Sequence, residues 1–412
     1  MAIGAIVVLM TSTLNRLMIV ELALPAVLPG LLVALHYGIQ ITRPNWGFRS
    51  DTGGRRTPWV IGGMAILSAG AFMAALAIPV FETHLTAGIL ISIIAYALIG
   101  LGVGASGTSL LALLATLTAP RRRAAAATIT WLMMIAGIAI TAGVTGAMLD
   151  PYSHTLLLKI VSCVVATAFI LTVIAIVGIE KQPIEIKETE TVFFAEGIKE
   201  IWAERGARHF SIFVFLSMTA YFMQELILEP YAGLVFGFTP SASTSLSGAQ
   251  NGGVFLGMIS VGLLCTGLNL GSLRSWVVTG CIGSALSLAV IAALGLGGTA
   301  IQLSIAVVSL GFFNGMFAVG AIGSMMSLAG EGRSDREGTR VGIWGAAQAI
   351  AAGFGGLLGA SMVDLLRLTV NADAAAYGTV FLFEAALFIA SSTLALKIMS
   401  TRPVLVGLVP GE

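Results

Sequence analysis

An all-α, polytopic membrane protein of twelve transmembrane helices is predicted by three features of this chain: its composition, the rhythm of its apolar runs and the placement of its charges. The 412 residues are 57% hydrophobic and 10% charged, with a mean hydropathy of +0.98, where ordinary soluble domains carry about 25% charge. A spanning helix needs ~20 predominantly apolar residues. Reading between charged or Pro/Gly breaks gives spans near 2–20, 25–43, 58–80, 86–117, 124–148 and 156–178. Six more follow near 210–235, 247–268, 275–295, 301–329, 341–363 and 375–398. The opening MAIGAIVVLM has no charged n-region and no small-residue cleavage site, so it reads as the start of span 1. The uncharged stretch from Ser275 to Gly330 must hold two helices, split at Gly295-Leu-Gly-Gly298.

The charges test that count. With the N-terminus in the cytoplasm, 18 of the 21 Lys and Arg fall on cytoplasmic segments, among them Arg43, Arg49, Arg55, Arg56, Arg121 to Arg123, Arg333, Arg336 and Arg340. Lys159 and Arg367 lie near the other side, and Arg16 lies within span 1. The positive-inside rule accounts for this bias and places both termini in the cytoplasm. The long hydrophilic stretch 180–208 divides a six-helix bundle, 1–179, from a second bundle and short tail, 209–412. Within the stretch, Val192 to Trp202 has the apolar spacing of a short amphipathic surface helix. Near-zero net charge and the lack of a basic tract give no sign of nucleic-acid binding. Cys163, Cys265 and Cys281 all sit in apolar runs and read as buried small hydrophobes.

Between spans 2 and 3 lies Gly47-Phe-Arg-Ser-Asp51-Thr-Gly-Gly54-Arg55-Arg56, a tight, charged turn. The form G-x-x-x-D-x-x-G-R-R between two apolar spans resembles the corresponding loop of the major facilitator superfamily. There it acts as a hinge and latch for alternating access, which makes Gly47, Asp51, Gly54, Arg55 and Arg56 the candidate latch. An internal repeat agrees with that fold. Arg123…Trp131…Gly146-Ala-Met-Leu-Asp150 recurs as Arg340…Trp344…Gly359-Ala-Ser-Met-Val-Asp364, at an offset of 213 to 217 residues. Glu21-Leu-Ala-Leu-Pro25 recurs more loosely as Glu225-Leu-Ile-Leu-Glu-Pro230. Parallel six-helix repeats about an axis along the membrane normal describe the major facilitator architecture.

Ionisable groups in spans cost at least ~2.5–3.5 kcal/mol near the bilayer centre, so they face a cavity or a partner. Arg16, Glu21, Glu225, Glu229 and Glu384 are such groups, with Asn15, Gln224 and Gln348 as polar neighbours. Arg16 and Glu21 are five residues apart, about 140° around an α-helix, so each is expected to need a partner on another helix or a ligand. These residues are the expected lining of a cavity between spans 1 and 7, with the bland alternative that Glu21 and Glu229 merely end helices at the interface. His36 is the one histidine well inside a span and the candidate axial ligand to a pigment magnesium; a ligand-free histidine is the simpler reading. There is no Walker A motif, Cys/His metal spacing or G-x-S-x-G elbow, so a non-enzyme without a resident metal is expected.

Thr13-Leu-Asn-Arg-Leu-Met-Ile-Val-Glu-Leu22, followed by Arg43 and Gly47-Phe-Arg-Ser-Asp51, closely resembles the signature of the PucC/LhaA family of phototrophic bacteria, also called the bacteriochlorophyll delivery family. Departures are the short Thr52-Gly-Gly insert and Leu17 in place of the family's valine. The resemblance implies an assembly factor for light-harvesting complexes in the bacterial inner, intracytoplasmic photosynthetic membrane. It would bind or deliver bacteriochlorophyll and work with light-harvesting polypeptides and the pigment-synthesis machinery. The alternatives are an ion-coupled secondary transporter of a small amphipathic solute, with Glu21 or Glu225 carrying the proton, and a structural subunit of a pigment–protein complex. The small-residue run Ala351-Ala-Gly-Phe-Gly-Gly356 could accept a flat ring on the lipid side or pack within the bundle.

Overall fold

The computed structural model describes residues 1–43, 46, 55–117, 123–180, 205–267, 270–330, 337–370 and 372–398. Twelve helical spans follow one another in those residues, as the apolar runs predict. They are α1, which starts as Ala2–Val8 and continues to Glu21, then α2 (Val27–Ile39), α3 (Thr57–Thr83), α4 (Leu85–Leu117), α5 (Arg123–Met148) and α6 (His154–Ile176). The second six are α7 (Arg205–Phe236), α8 (Pro240–Val261), α9 (Leu273–Leu294), α10 (Ala300–Gly330), α11 (Glu337–Thr369) and α12 (Asp373–Ile398). Ten of the described helices are long and apolar enough to cross a bilayer. With that many spans the chain is a multi-pass membrane protein. The split between α9 and α10 falls at the glycines expected for it, where Gly297 takes a φ of 145°, a value that disfavours any side chain.

Two spans depart from the sequence expectation. Span 8 was expected over 247–268, whereas α8 starts at Pro240, with Thr239 as its N-cap, and ends in a π-helical turn, Gly262–Gly267. Its first two turns, Ser241 to Ser247, face the other half of the molecule rather than lipid, so hydropathy misses them. Span 1 is not a plain α-helix. It widens into π-helical turns over Leu9–Leu14 and Leu17–Glu21.

Two cores form, one in each half. Leu9, Met64, Ala74, Tyr96 and Leu157 belong to the first; Phe213, Cys281, Phe317, Tyr377 and Phe388 belong to the second. Small residues set the helix spacing. On α8, Gly253 and Gly257 meet Gly311 and Gly315 of α10, and a Cβ on Gly257 would lie 2.0 Å from the Phe312 carbonyl oxygen. The two backbones touch, which only glycine permits.

The run Ala351–Gly356 is used in the same way. Its glycines pack on Tyr37 of α2 and on Thr219 and Leu226 of α7, leaving Phe354 exposed beside Phe215. Packing within the bundle, not a lipid-facing ring site, occupies this face.

Candidate functional site

Helix direction alternates, so the bundle has two ends. Arg43, Arg56 and Glu180 lie at one, called here the near end; Glu21, Phe238 and Asp364 lie at the other, the far end. Between the halves is a cavity of about 290 Å³. One wall is apolar: Trp131, Met134, Ile135 and Ile138 project from one face of α5. Facing it are Thr11 and Ser12 of α1, Gln224 and Glu225 of α7, and Gln250 and Asn251 of α8, with Tyr37 of α2, Gln40 and Arg43 just past its C-terminal end, and Gln348 of α11. The cavity is therefore two-faced, suited to an amphipathic ligand with a hydrogen-bonding edge.

Beyond the cavity, towards the far end, the halves are stitched together. Ser12 of α1 donates to Glu229 of α7, and Asn15 Nδ2 donates to the Leu226 carbonyl at 2.7 Å. Arg16 bridges Glu21 at 2.5 Å and the Phe238 carbonyl at 2.8 Å. Ser241 Oγ donates to the Gly146 carbonyl at 2.7 Å. At the N-terminus of α2 no side chain of its own caps the helix. Asp364 of α11 does so from the opposite half, accepting from Ala26 N at 3.0 Å and Val27 N at 2.7 Å. A carboxylate at this position satisfies orphan amides and meets the positive end of the helix dipole.

The Arg16–Glu21 ion pair corrects the expectation that each residue needs a partner elsewhere. The expectation assumed α-helical phase. In the π-helical turn, Leu22 N–H reaches back five residues to the Leu17 carbonyl, and the wider winding brings residues five apart onto one face. Arg16 is 2% exposed while Glu21 is 41% exposed. Glu229 is 3% exposed, so it lies within the seam and not at a helix-ending interface. Asn15, Arg16, Glu21 and Glu229 thus come together in the seam, and Glu225, His36 and Gln348 on the cavity. Glu384 does neither. It is wholly buried in the second half, with no hydrogen-bond partner for either carboxylate oxygen among the described residues.

His36 is held by a relay from the 3-10 turn that follows its helix. Arg43 donates to Gln40 Oε1, which turns the Gln40 amide nitrogen to donate to His36 Nε2 at 2.8 Å. That nitrogen's lone pair is taken and Nδ1 is buried, so the ring offers no open nitrogen to a magnesium in this conformation, and the residues do not fit axial ligation.

Of the latch, Gly47, Asp51 and Gly54 lie outside the described residues. Arg55 is exposed and Arg56 buried. At the near end the Glu180 carboxylate caps α3, accepting from Arg56 N and Thr57 N and from the Thr57 hydroxyl. Partial burial alone would favour the neutral acid. The Arg56 and Thr57 hydrogen bonds and the Arg56 charge outweigh it and hold the carboxyl below its ordinary range. Asp364, Glu180 and the Gln40–Arg43 relay were not picked out as site residues from the sequence. The missing side-chain cap on α2 and the repeated Asp150/Asp364 word were the available signals for Asp364.

Comparison with known structures and proteins agrees with this architecture. The nucleoside transporter NupG superposes with a TM-score of 0.72 at 14% identity, covering 97% of this chain and 98% of that one. The peptide transporter POT, solved with alafosfalin, gives 0.68 at 16% identity over 97% and 93%. The fold is therefore that of the major facilitator transporters. The bacteriochlorophyll synthase 44.5 kDa chain of Rhodobacter capsulatus is 63% identical over 98% of this chain and 94% of its own length. Protein PucC of Rhodovulum sulfidophilum is 26% identical over 91% and 85%. The PUCC protein family profile matches residues 13–402, and the chain belongs to that family.

Proposed function

We propose that this chain is a non-enzymatic assembly factor for bacterial light-harvesting complexes that handles bacteriochlorophyll within the bilayer, together with light-harvesting polypeptides and the pigment-synthesis machinery. The observation that carries the reading is the near full-length similarity to a protein named for bacteriochlorophyll. A fold shared with solute carriers supports a binding role rather than a reaction. At about 290 Å³ the cavity lies at the lower edge of the ~300–1,000 Å³ range of drug-sized sites. A tetrapyrrole with a hydrocarbon tail exceeds it, so the pigment's body stays with the lipid-facing surface. Moving there avoids exposing apolar area to water at ~25 cal/mol per Å². The arginines of the near end support a cytoplasmic position for that end and for both termini, and the photosynthetic relatives support an inner, photosynthetic membrane.

The test is the absorption spectrum of the purified protein, paired with light-harvesting assembly in cells carrying Arg16→Ala or Glu21→Ala. Co-purifying pigment and impaired assembly are expected. A protein that never holds pigment, in cells that assemble normally, overturns the reading. A second reading, an ion-coupled carrier of a small amphipathic solute, is favoured by Glu225 facing the cavity and Glu229 one turn beyond it. Proton-driven uptake of a soluble compound would establish that instead.

A further inference from the structure

Glu229 stands where the seam and the cavity meet. Among the described residues, the charge that acts on the Glu229 carboxyl is that of Arg16, one turn along α1 from Ser12. Yet Arg16 spends its guanidinium on Glu21 and on the Phe238 carbonyl. Glu229 instead takes a hydrogen bond from the Ser12 hydroxyl, while Oε2 has no hydrogen-bond partner among the described residues. An ionised carboxylate 3% exposed and served by two hydroxyls, of Ser12 and Ser247, is badly desolvated. Among the described residues, the other elements packed on α7 place no charge on it. The α8 helix contributes the Ser247 hydroxyl and holds no ionisable residue, and neither does α10. Asp364 of α11 is committed to α2, and Glu384 of α12 lies in the second core with no hydrogen-bond partner among the described residues. Glu225, on α7 itself, sits one turn nearer the cavity, beside Thr11.

We infer that Glu229 is a proton-binding site that gates the far end through a change of partner by Arg16. With the proton on Glu229, Arg16 stays with Glu21 and Phe238 and the far end is shut, as here. When the O–H bond of Glu229 breaks, the proton passes by way of Glu225 to water in the cavity. The carboxylate left behind then draws Arg16 away from Glu21 and the Phe238 carbonyl. Losing those bonds frees α1 from the α7–α8 turn, and the far end opens. The chain thereby couples one proton to its conformational cycle, whatever its cargo.

The test needs no pigment, so it fails or succeeds independently of the proposed function. In a background with Cys163, Cys265 and Cys281 replaced by serine, Leu234→Cys puts a thiol in the far-end cluster with Ile19, Ala26 and Ala360. Its labelling by a membrane-impermeant maleimide in proteoliposomes is normalised to Asp150→Cys, an exposed position, which removes the reagent's own pH dependence. Normalised labelling is expected to rise with pH, about tenfold per pH unit through the transition, the slope of a single proton. Glu229→Gln should hold labelling at its low-pH level throughout, and Glu229→Asp should keep the rise. Glu21→Gln, which removes the competing partner, should shift the transition to lower pH. A rise that persists unchanged in Glu229→Gln overturns the inference, and so does flat labelling with Glu229 intact. If Glu229→Gln does not fold, Ser12→Ala supplies the test: without the hydroxyl that holds Glu229 the transition must move, and an unmoved transition overturns it.

Discussion

Asp364→Ala should loosen the far end without touching the cavity. The carboxylate makes two hydrogen bonds, at 3.0 and 2.7 Å, to the first amides of α2, and hydrogen bonds to a charged group contribute about 1.5–3 kcal/mol each. Asp364 is half-buried, so screening favours the low end of that range. Removing both bonds while leaving two amides and a helix dipole uncapped should cost the shut state about 2–3 kcal/mol. At ~1.4 kcal/mol per decade, that is about a 30- to 140-fold fall in the protection that depends on far-end closure. Hydrogen exchange in nanodiscs reads it directly on the peptide containing Ala26 and Val27. Exchange there should accelerate, while the amides of α9 and α12, inside the second core, keep their rates. Asp364→Asn retains one acceptor oxygen and should give about half the loss. Unchanged exchange at the start of α2 in Asp364→Ala would refute the claim that this cross-half cap holds the far end.

Arg16→Lys keeps the charge but has no planar fork to reach Glu21 and the Phe238 carbonyl together. Thermal unfolding in detergent should fall by several degrees, with greater far-end labelling of Leu234→Cys. Gly257→Ala places a methyl against the Phe312 carbonyl and must part α8 from α10, at a cost of about 1–3 kcal/mol; a Tm equal to that of the parent would contradict the described contact. Glu180 has a depressed folded pKa, so its stabilisation is complete above the ordinary carboxylate range and is lost as pH falls through the folded value. Protection of the Thr57 amide, taken relative to the intrinsic exchange rate at each pH, should therefore fall on acidification, and Glu180→Gln should abolish that acid response.

How much of this was open to sequence reasoning depends on what each feature rests on. Span number and direction follow from long apolar runs and arginine placement, which are averages over many residues and survive local error. The candidate residues Arg16, Glu21, Glu225 and Glu229 were legible because a charge in an apolar run is expensive wherever it lies. Their pairing was not. It turns on a local change of helical winding between Leu17 and Glu21, which leaves no periodic signature in five residues. Glu384 was chosen by the same rule as Glu229 and landed in a core, because cost identifies a buried charge without saying which helix faces it. The neutral half of the site, Ser12, Gln40, Gln250 and Asn251, was hidden because small polar residues are common in spans.

Asp364 shows what a closer reading could have recovered. Before Val27 the chain reads Leu22-Ala-Leu-Pro25-Ala26, with no Ser, Thr, Asp or Asn to accept from the first amides of α2. Inside a bilayer, unpaired amides cannot fall back on water, so an acceptor had to come from elsewhere in the fold. In a two-fold repeat of six helices, α2 of one half meets α11 of the other, as the packing of Gly353 on Tyr37 confirms. The carboxylates near the end of α11 are few, and Asp364 is the one that the repeat marks through Asp150. An uncapped helix start, followed across the pseudo-symmetry, thus leads to the residue that caps α2 at the far end, while Arg16, bonded to Glu21 and the Phe238 carbonyl, supplies the contact that a proton can release.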